Sequence, residues 1–397
     1  MLVQALSTQI DEISADFAHP FPGPDKSLLK IVTLKCLSLY VTRMLGGKCG
    51  SFLADRSPGL SEVVHMWSAH RSTYLWDPLL GQLRDLSTGS DLEACYSLLV
   101  ESGLRAHLDG VHGKWAFRFS TPRHLRVHAL RFPSVIAGRI DADSVRGIAL
   151  TLEAADGSAY DMLFQRSFGG AWQCSPSSRL DDLLTINFAD AQMILLPDGA
   201  VPQRMLPNLP GAKFLQEADL VYVSERICRA IDLINEHSGN YVNWIGSVVP
   251  CLAPFDSPNQ SSGSHPSFPG LVVMSNDPRP AAIAEMLVHE ASHQYFYLVA
   301  LLGPVDDGSD AAEYYSPLVG RARPIDKLLL SFHALANMAL LLRACMASRN
   351  IDDADYCRRR LAVITAQAQT AEDALRKTAS LTRLGKALWE PLAEILH

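Results

Sequence analysis

The sequence predicts an α+β protein, mainly helical, with a β-rich middle segment and a helical C-terminal bundle carrying an HExxH motif. Three observations predict it. Apolar residues recur at helical spacing through residues 1–110. From about Val111 to Leu196 short alternating segments are separated by turn residues. Beyond about Lys213 long apolar segments with a helical period return. The expected partition is a helical 1–110, a β-rich 111–210 and a helical 211–397.

In the first part Ser27–Leu45 places Leu28, Ile31, Val32, Leu34, Leu39 and Val41 at helical spacing and stops at Gly46-Gly47. His65 and His70 are five apart, which does not stack two side chains on one helix face, so both read as structural. The middle part reads as strands: KWAFRFS, LRVHALRF, GIALTLEA, AYDMLFQ and QMILLP, punctuated by Asp156-Gly157 and Gly169-Gly170. On a strand His124 and His128 lie roughly 13 Å apart, too far to share a metal. Helix resumes over Lys213–His237. A loop-rich stretch, Pro250–Pro280, contains a single strand, Leu271–Met274. Four helices follow: Ala281–Leu302, Pro324–Ser348, Ile351–Thr378 and Leu381–His397, with Pro324 suited to a first turn.

Composition narrows the function classes. With 397 residues, 48% hydrophobic and only 19% charged, the chain has material for two or three packed units and is not disordered. The balance of 35 Lys+Arg against 42 Asp+Glu, a net charge of −7, argues against wrapping nucleic acid through bulk electrostatics. No apolar run reaches membrane-spanning length; the richest, Leu328–Leu342, is broken by Ser331, His333 and Asn337. Asp11, Glu12 and Asp16 fall where a signal peptide would be apolar, so a cytoplasmic location is expected. The eight cysteines (Cys36, Cys49, Cys95, Cys174, Cys228, Cys251, Cys345 and Cys357) form no CxxC pair and read as buried or incidental thiols.

One constellation carries chemistry. His289-Glu290-Ala291-Ser292-His293 lies inside AAIAEMLVHEASHQYFYLV, an apolar helical context. Residues i and i+4 stack one turn apart, so both imidazoles can reach one metal ion. Two downstream residues compete as third ligand. Glu313 sits in GPVDDGSDAAEYYSP, a run of turn residues closed by Pro317, with little room for a second long helix. His333 sits in LLLSFHALANMALLL, where nearly every neighbour is apolar, and the local context favours it. Asn337, one turn on, shares its face and reads as a second-layer or substrate-holding residue, or as a helix-pairing amide.

At these residues the chain resembles the HExxH-type 2-oxoglutarate-dependent peptide β-hydroxylases of ribosomal peptide natural-product pathways. The resemblance covers about Pro250–Leu388 and rests on ordered parts: SSGSHPSFPGLVVMS, AEMLVHEASHQ, EYYSPLVGRARPIDKLLLSFHALANMAL and LTRLGKALWEPL. Leu318 stands where the family has Trp, and Ala334 where Gly is usual. Residues 1–249 carry no matching motif. The resemblance implies His289, His293 and His333 as ligands of Fe(II), with 2-oxoglutarate and O2 as co-substrates and a ribosomally made precursor peptide as partner. The distal carboxylate of 2-oxoglutarate then needs a cation, for which Arg323 or Arg321 can offer a bidentate fork. Tyr315 and Tyr314 are expected to line that pocket or to pack. In this reading Glu290 orients a ligand or water. In the rival reading, a zinc metallopeptidase, Glu290 is the general base and Glu313 the third ligand. A third reading is a non-catalytic binding protein keeping the metal helix.

Overall fold

A computed structural model describes residues 17–21, 26–46, 48–69, 76–87, 91–127, 130–166, 172–175, 181–182, 184–188, 191–201, 203–206, 211–347 and 353–396. His70, His128 and the Gly169-Gly170 turn lie outside the described residues. The chain is α+β and mainly helical, with its strands concentrated in the middle and long helices towards the C-terminus. Contacts group residues 33–184 as one unit, and residues 1–32 with 185–397 as another. The helical first stretch and most of the β-rich stretch thus belong to one body.

The first of these units starts within α1 (Lys26–Gly46), followed by α2 (Lys48–Arg56), α3 (Leu60–Ala69), α4 (Pro78–Leu86) and α5 (Leu92–Leu108). Caps define α4 and α5. The Asp77 carboxylate accepts from the Leu79 N–H at 2.8 Å with Pro78 in the first turn, and the Asp91 carboxylate accepts from the Ala94 N–H at 3.0 Å. The strands are β1 (Gly113–Val127), β2 (Leu130–Asp143), β3 (Gly147–Ala154), β4 (Ala159–Arg166), β5 (Trp172–Ser175) and the short β6 (Asp181–Asp182). The first five form an antiparallel meander in chain order, and β6 pairs with the start of β2. Along β3, Ile148, Leu150, Leu152 and Ala154 are buried and the residues between them turn outward, as one covered face requires. Helix α5 packs on β1, and Gly103 permits the approach: a Cβ there would lie 2.3 Å from Leu60 Cδ1 and 2.8 Å from the Trp115 ring. His65 and His124 are exposed.

The other unit holds β7 (Thr185–Phe188), β8 (Ala191–Leu195), β9 (Lys213–Phe214), α6 (Glu217–Ser238), α7 (Asn240–Val248), β10 (Cys251–Asp256), β11 (Ser262–Ser264), β12 (Leu271–Ser275), α8 (Pro280–Leu302), β13 (Tyr314–Ser316), β14 (Arg321–Arg323), α9 (Ile325–Ala347), α10 (Ala354–Leu375) and α11 (Arg383–Leu396). Its mixed sheet runs β11-β12-β10-β8-β7, with β9 pairing β10. The central strands are parallel: Cys251 lies opposite Leu271 on one side and Ile194 on the other. All five residues of β12 are buried, as are the first five of β10, which suits a parallel core covered on both faces.

Two expectations change here. The stretch Pro250–Pro280 holds a core strand, β10, besides Leu271–Met274. Pro254 argues against a strand on local grounds but is accommodated opposite Met274. Helix α9, at 23 residues, is long and apolar enough to cross a bilayer by length and composition, which its interrupted apolar run did not suggest. It is instead a core helix packed against α8, α10 and α11, with 78% of its most apolar window buried.

Within the 33–184 unit, His107 is 1% exposed. Its Nδ1 lies 2.7 Å from the Val111 carbonyl oxygen, and its Nε2 accepts from the Trp115 indole at 2.7 Å. Burial pushes its pKa below the ordinary imidazole value. The unfolded chain therefore takes up this proton first, so the contribution of His107 to stability is level above about pH 6.5 and falls as pH drops below it, by up to about 1.4 kcal/mol per pH unit. Replacing His107 by Asn should remove part of that slope. Hydrogen exchange of β1 under mild urea, compared at neutral and mildly acidic pH, checks it.

Candidate metal centre

Helix α8 is set at its N-terminus by polar contacts. The Asp277 carboxylate accepts from the Arg279 main-chain N–H at 2.9 Å and from its guanidinium, Pro280 takes the first helical position, and the Ala281 N–H donates to Asp353 Oδ2 at 3.1 Å. One turn before the motif, Glu285 is 2% exposed. It accepts from Arg360 Nε at 3.0 Å and from the Tyr356 hydroxyl at 2.7 Å, which ties α8 to α10.

The motif histidines stand as the spacing requires. The rings of His289 and His293 are 4.5 Å apart between centroids at 79°. Glu290 is 1% exposed; its Oε1 accepts from the Ser262 hydroxyl at 2.7 Å and lies 3.7 Å from His289 Nε2. Two buried polar atoms here lack a partner among the described residues: Glu290 Oε2 and His293 Nδ1. Burial holds the His293 pKa well below the usual imidazole value, with the charges of His289, His333 and Arg323 acting the same way. Its ring is therefore neutral at neutral pH, the state in which an imidazole binds a metal. Burial, and then the Glu290 charge, push the Tyr297 hydroxyl up to about 12, so it stays a donor; it reaches the Ser264 carbonyl oxygen at 3.4 Å.

His333 is completely buried on α9, with its ring edge-on to Trp244 at 6.3 Å. Its Nδ1 lies 2.9 Å from the Ser292 carbonyl oxygen. Its Nε2 lies 3.0 Å from the carbonyl oxygen of Phe17 and 2.9 Å from that of Ala18. Burial lowers its pKa to about 4, so at neutral pH it has one donor for carbonyls on both sides. With Nδ1–H donating to Ser292, the Nε2 lone pair is the one left for a metal, but the segment at 17–18 stands before it. Asn337 pins that segment: Nδ2 donates to the Ala18 carbonyl oxygen at 2.8 Å, while Oδ1 accepts from the Tyr241 hydroxyl at 2.9 Å. Phe17 and Phe21 add edge-on contacts to Tyr295 and Tyr241. Among the described residues no three His, Cys, Asp or Glu side chains converge as a metal-holding group.

The other expected residues lie on the β13–β14 hairpin. Tyr314 pairs with Arg323 and Ser316 with Arg321, while Tyr315 turns the opposite way and is 59% exposed. Tyr314 donates to Asp310 Oδ2 at 2.6 Å. Arg323 is half-buried and near enough for its charge to act on His293, whereas Arg321 is exposed. Glu313 is exposed just before β13.

The donor set suits a divalent cation. His289 and His293 offer neighbouring imidazoles, and the orphaned Glu290 Oε2 and His293 Nδ1 are buried polar atoms that a cation and its bound water would satisfy. His333 could complete the set only if the segment at 17–18 gave way. Sequence reasoning missed Ser262, Tyr297, Tyr241 and that segment. Tyr297 was legible, since it follows His293 by one turn on the same face; the others come from distant parts of the chain. A cavity of about 700 Å³ opens in the 33–184 unit, lined by His112, Asp143, Arg146, Gln165, Arg166 and Gln173 among others. Comparison with models of known families and with curated proteins finds no match to this chain.

The seating of α8 depends on its ion pair with α10. Arg360→Met would leave the Glu285 carboxylate with only a hydroxyl, and should cost about 3 kcal/mol. Denaturant unfolding of the variant measures it.

Proposed function

We propose that the chain is an Fe(II)/2-oxoglutarate-dependent oxygenase that β-hydroxylates a residue of a ribosomally made precursor peptide. The observation that carries the reading is the pair of orphaned polar atoms, Glu290 Oε2 and His293 Nδ1, beside the adjacent, edge-on histidines of a buried helix. The ordered resemblance of Pro250–Leu388 to the peptide hydroxylases supports it, as does a cation at Arg323 acting on the same histidine.

In this reading His289 and His293 hold the metal, and His333 joins them when the segment at 17–18 moves off its Nε2. Bound iron and 2-oxoglutarate supply the oxidising power to hydroxylate an unactivated C–H bond. Arg323 holds the distal carboxylate of the keto acid, with Arg321 and Tyr315 at the exposed rim. Glu290, fixed by Ser262, orients a ligand or water through its free oxygen. Asn337 keeps the second layer in place, and the apolar walls of α8 and α9 exclude water. A cytoplasmic setting, which keeps the cysteines reduced and supplies 2-oxoglutarate, goes with this reading.

One observation favours a second reading. A buried carboxylate with an unbonded oxygen next to two metal-binding imidazoles also suits the general base of a zinc metallopeptidase. That reading needs Glu313 as third ligand, and its exposed position before β13 weighs against it.

Two outcomes are expected. Anaerobic loading with Fe(II), then exposure to air with 2-oxoglutarate and the precursor peptide, should release succinate and add the mass of one oxygen atom to the peptide. Peptide cleavage without succinate would count for the peptidase. Separately, His333→Ala should lose metal on dialysis while Glu313→Ala retains it, as read by elemental analysis; the peptidase reading predicts the reverse.

A further inference from the structure

Strand β11 ends the mixed sheet: it pairs with β12 on one side, and among the described residues no strand pairs with its other side. The register says which groups face that open edge. The Ser275 N–H donates to the Ser261 carbonyl at 2.8 Å, so Ser261 and Ser275 occupy a hydrogen-bonded position. In an antiparallel ladder these positions alternate, which makes Gly263 opposite Val273 the next one. Ser262 and Ser264 therefore turn their main-chain groups away from β12. Of these, the Ser264 carbonyl receives only the long 3.4 Å contact from Tyr297.

The edge also carries only small residues and adjoins the candidate metal centre. Ser262, Gly263 and Ser264 are small and half-buried, so a second backbone can approach them. Ser262 Oγ donates to Glu290 at 2.7 Å, and Tyr297 stands one turn beyond His293, so the edge runs along the histidine-bearing face of α8. A second sign of a ligand, independent of the metal reading, is Ser264 Oγ, which is buried and without a partner among the described residues.

We propose that the open edge of β11 is the docking edge for an extended peptide, which joins the sheet as an added strand and places its residue opposite Ser262 nearest to His289 and His293. Alternating outward N–H and C=O groups, two residues and about 6.7 Å apart, match the main chain of another strand. Recognition through the main chain fixes where the peptide lies and leaves its side chains free to vary. The proposal rests on the reading of the substrate as a peptide, but not on hydroxylation.

The test uses the full chain and a degenerate mixture of short peptides, each carrying one photoreactive benzoylphenylalanine. After irradiation the cross-links are mapped by mass spectrometry. They should fall on residues 257–265 and Tyr297. The same mixture N-methylated at alternate residues should cross-link there about tenfold less, a loss equal to about one hydrogen bond. Ser264→Pro removes an outward N–H without touching the pairing to β12 and should give a similar loss; if that variant does not fold, the N-methylated mixture carries the test alone. Equal cross-linking by the two mixtures, or cross-links concentrated elsewhere, would overturn the proposal. Succinate release is read separately with the precursor peptide: cross-links at β11 without succinate keep the docking edge and remove the hydroxylase, whereas succinate with cross-links elsewhere does the opposite.

Discussion

Helix α8 takes two carboxylates, the His293 imidazole, Ser292 and Gln294 into a largely apolar interior, with His289 at its margin, and each buried polar group must be answered there. Glu285 is answered in full by Arg360 and Tyr356. Among the described residues Glu290, five residues on and equally buried, is answered on one oxygen only, by Ser262. The difference is physical: an unpaired buried carboxylate oxygen costs several kcal/mol, about what a whole domain can spare in part but not without return. In the proposed reading a cation shared with His289 and His293 would offset that cost, and the same helix would then serve as both structural core and metal holder. The α10 ion pair fixes the helix on one side while the sheet edge at β11 meets it on another, so the geometry of the centre is inherited from the packing of the unit.

A second polar network lies one layer deeper. His333, Asn337 and Tyr241 are completely buried, and together they hold the main chain of Phe17 and Ala18. Every side-chain polar group of Asn337 has a partner, whereas neutral His333 meets carbonyl oxygens on both sides with a single proton to give. His333 is thus the member of this network with an unsatisfied need: burial opposes its protonation, and in the proposed reading a metal before Nε2 would meet the need.

Much of this was legible from local pattern. The motif helix, expected over Ala281–Leu302, spans Pro280–Leu302, and the next, expected over Pro324–Ser348, spans Ile325–Ala347. Both are apolar nearly all round, so it is their length rather than any period that marks them as helices, and Pro280 and Pro324 mark their starts. What was not legible depends on pairing between distant residues. QMILLP reads as one more strand of the β-rich middle, yet Met193–Leu195 pairs with Thr185–Ile186 and with β10. β10 itself is hidden by Pro254 and by the turn-rich residues that follow it. The partners of Glu290 and His333 come from β11 and from residues 17–18, and no spacing rule connects Ser262 or Phe17 to an HExxH helix.

The central claim is that His289 and His293 hold a metal ion on α8. X-ray absorption at the iron edge of the anaerobically loaded full chain tests it most directly. The account predicts stoichiometric iron whose outer-shell scattering shows imidazole ligands, with that signature lost in His289→Ala. Iron that fails to bind stoichiometrically, or scattering from oxygen ligands alone that is unchanged in His289→Ala, would contradict it.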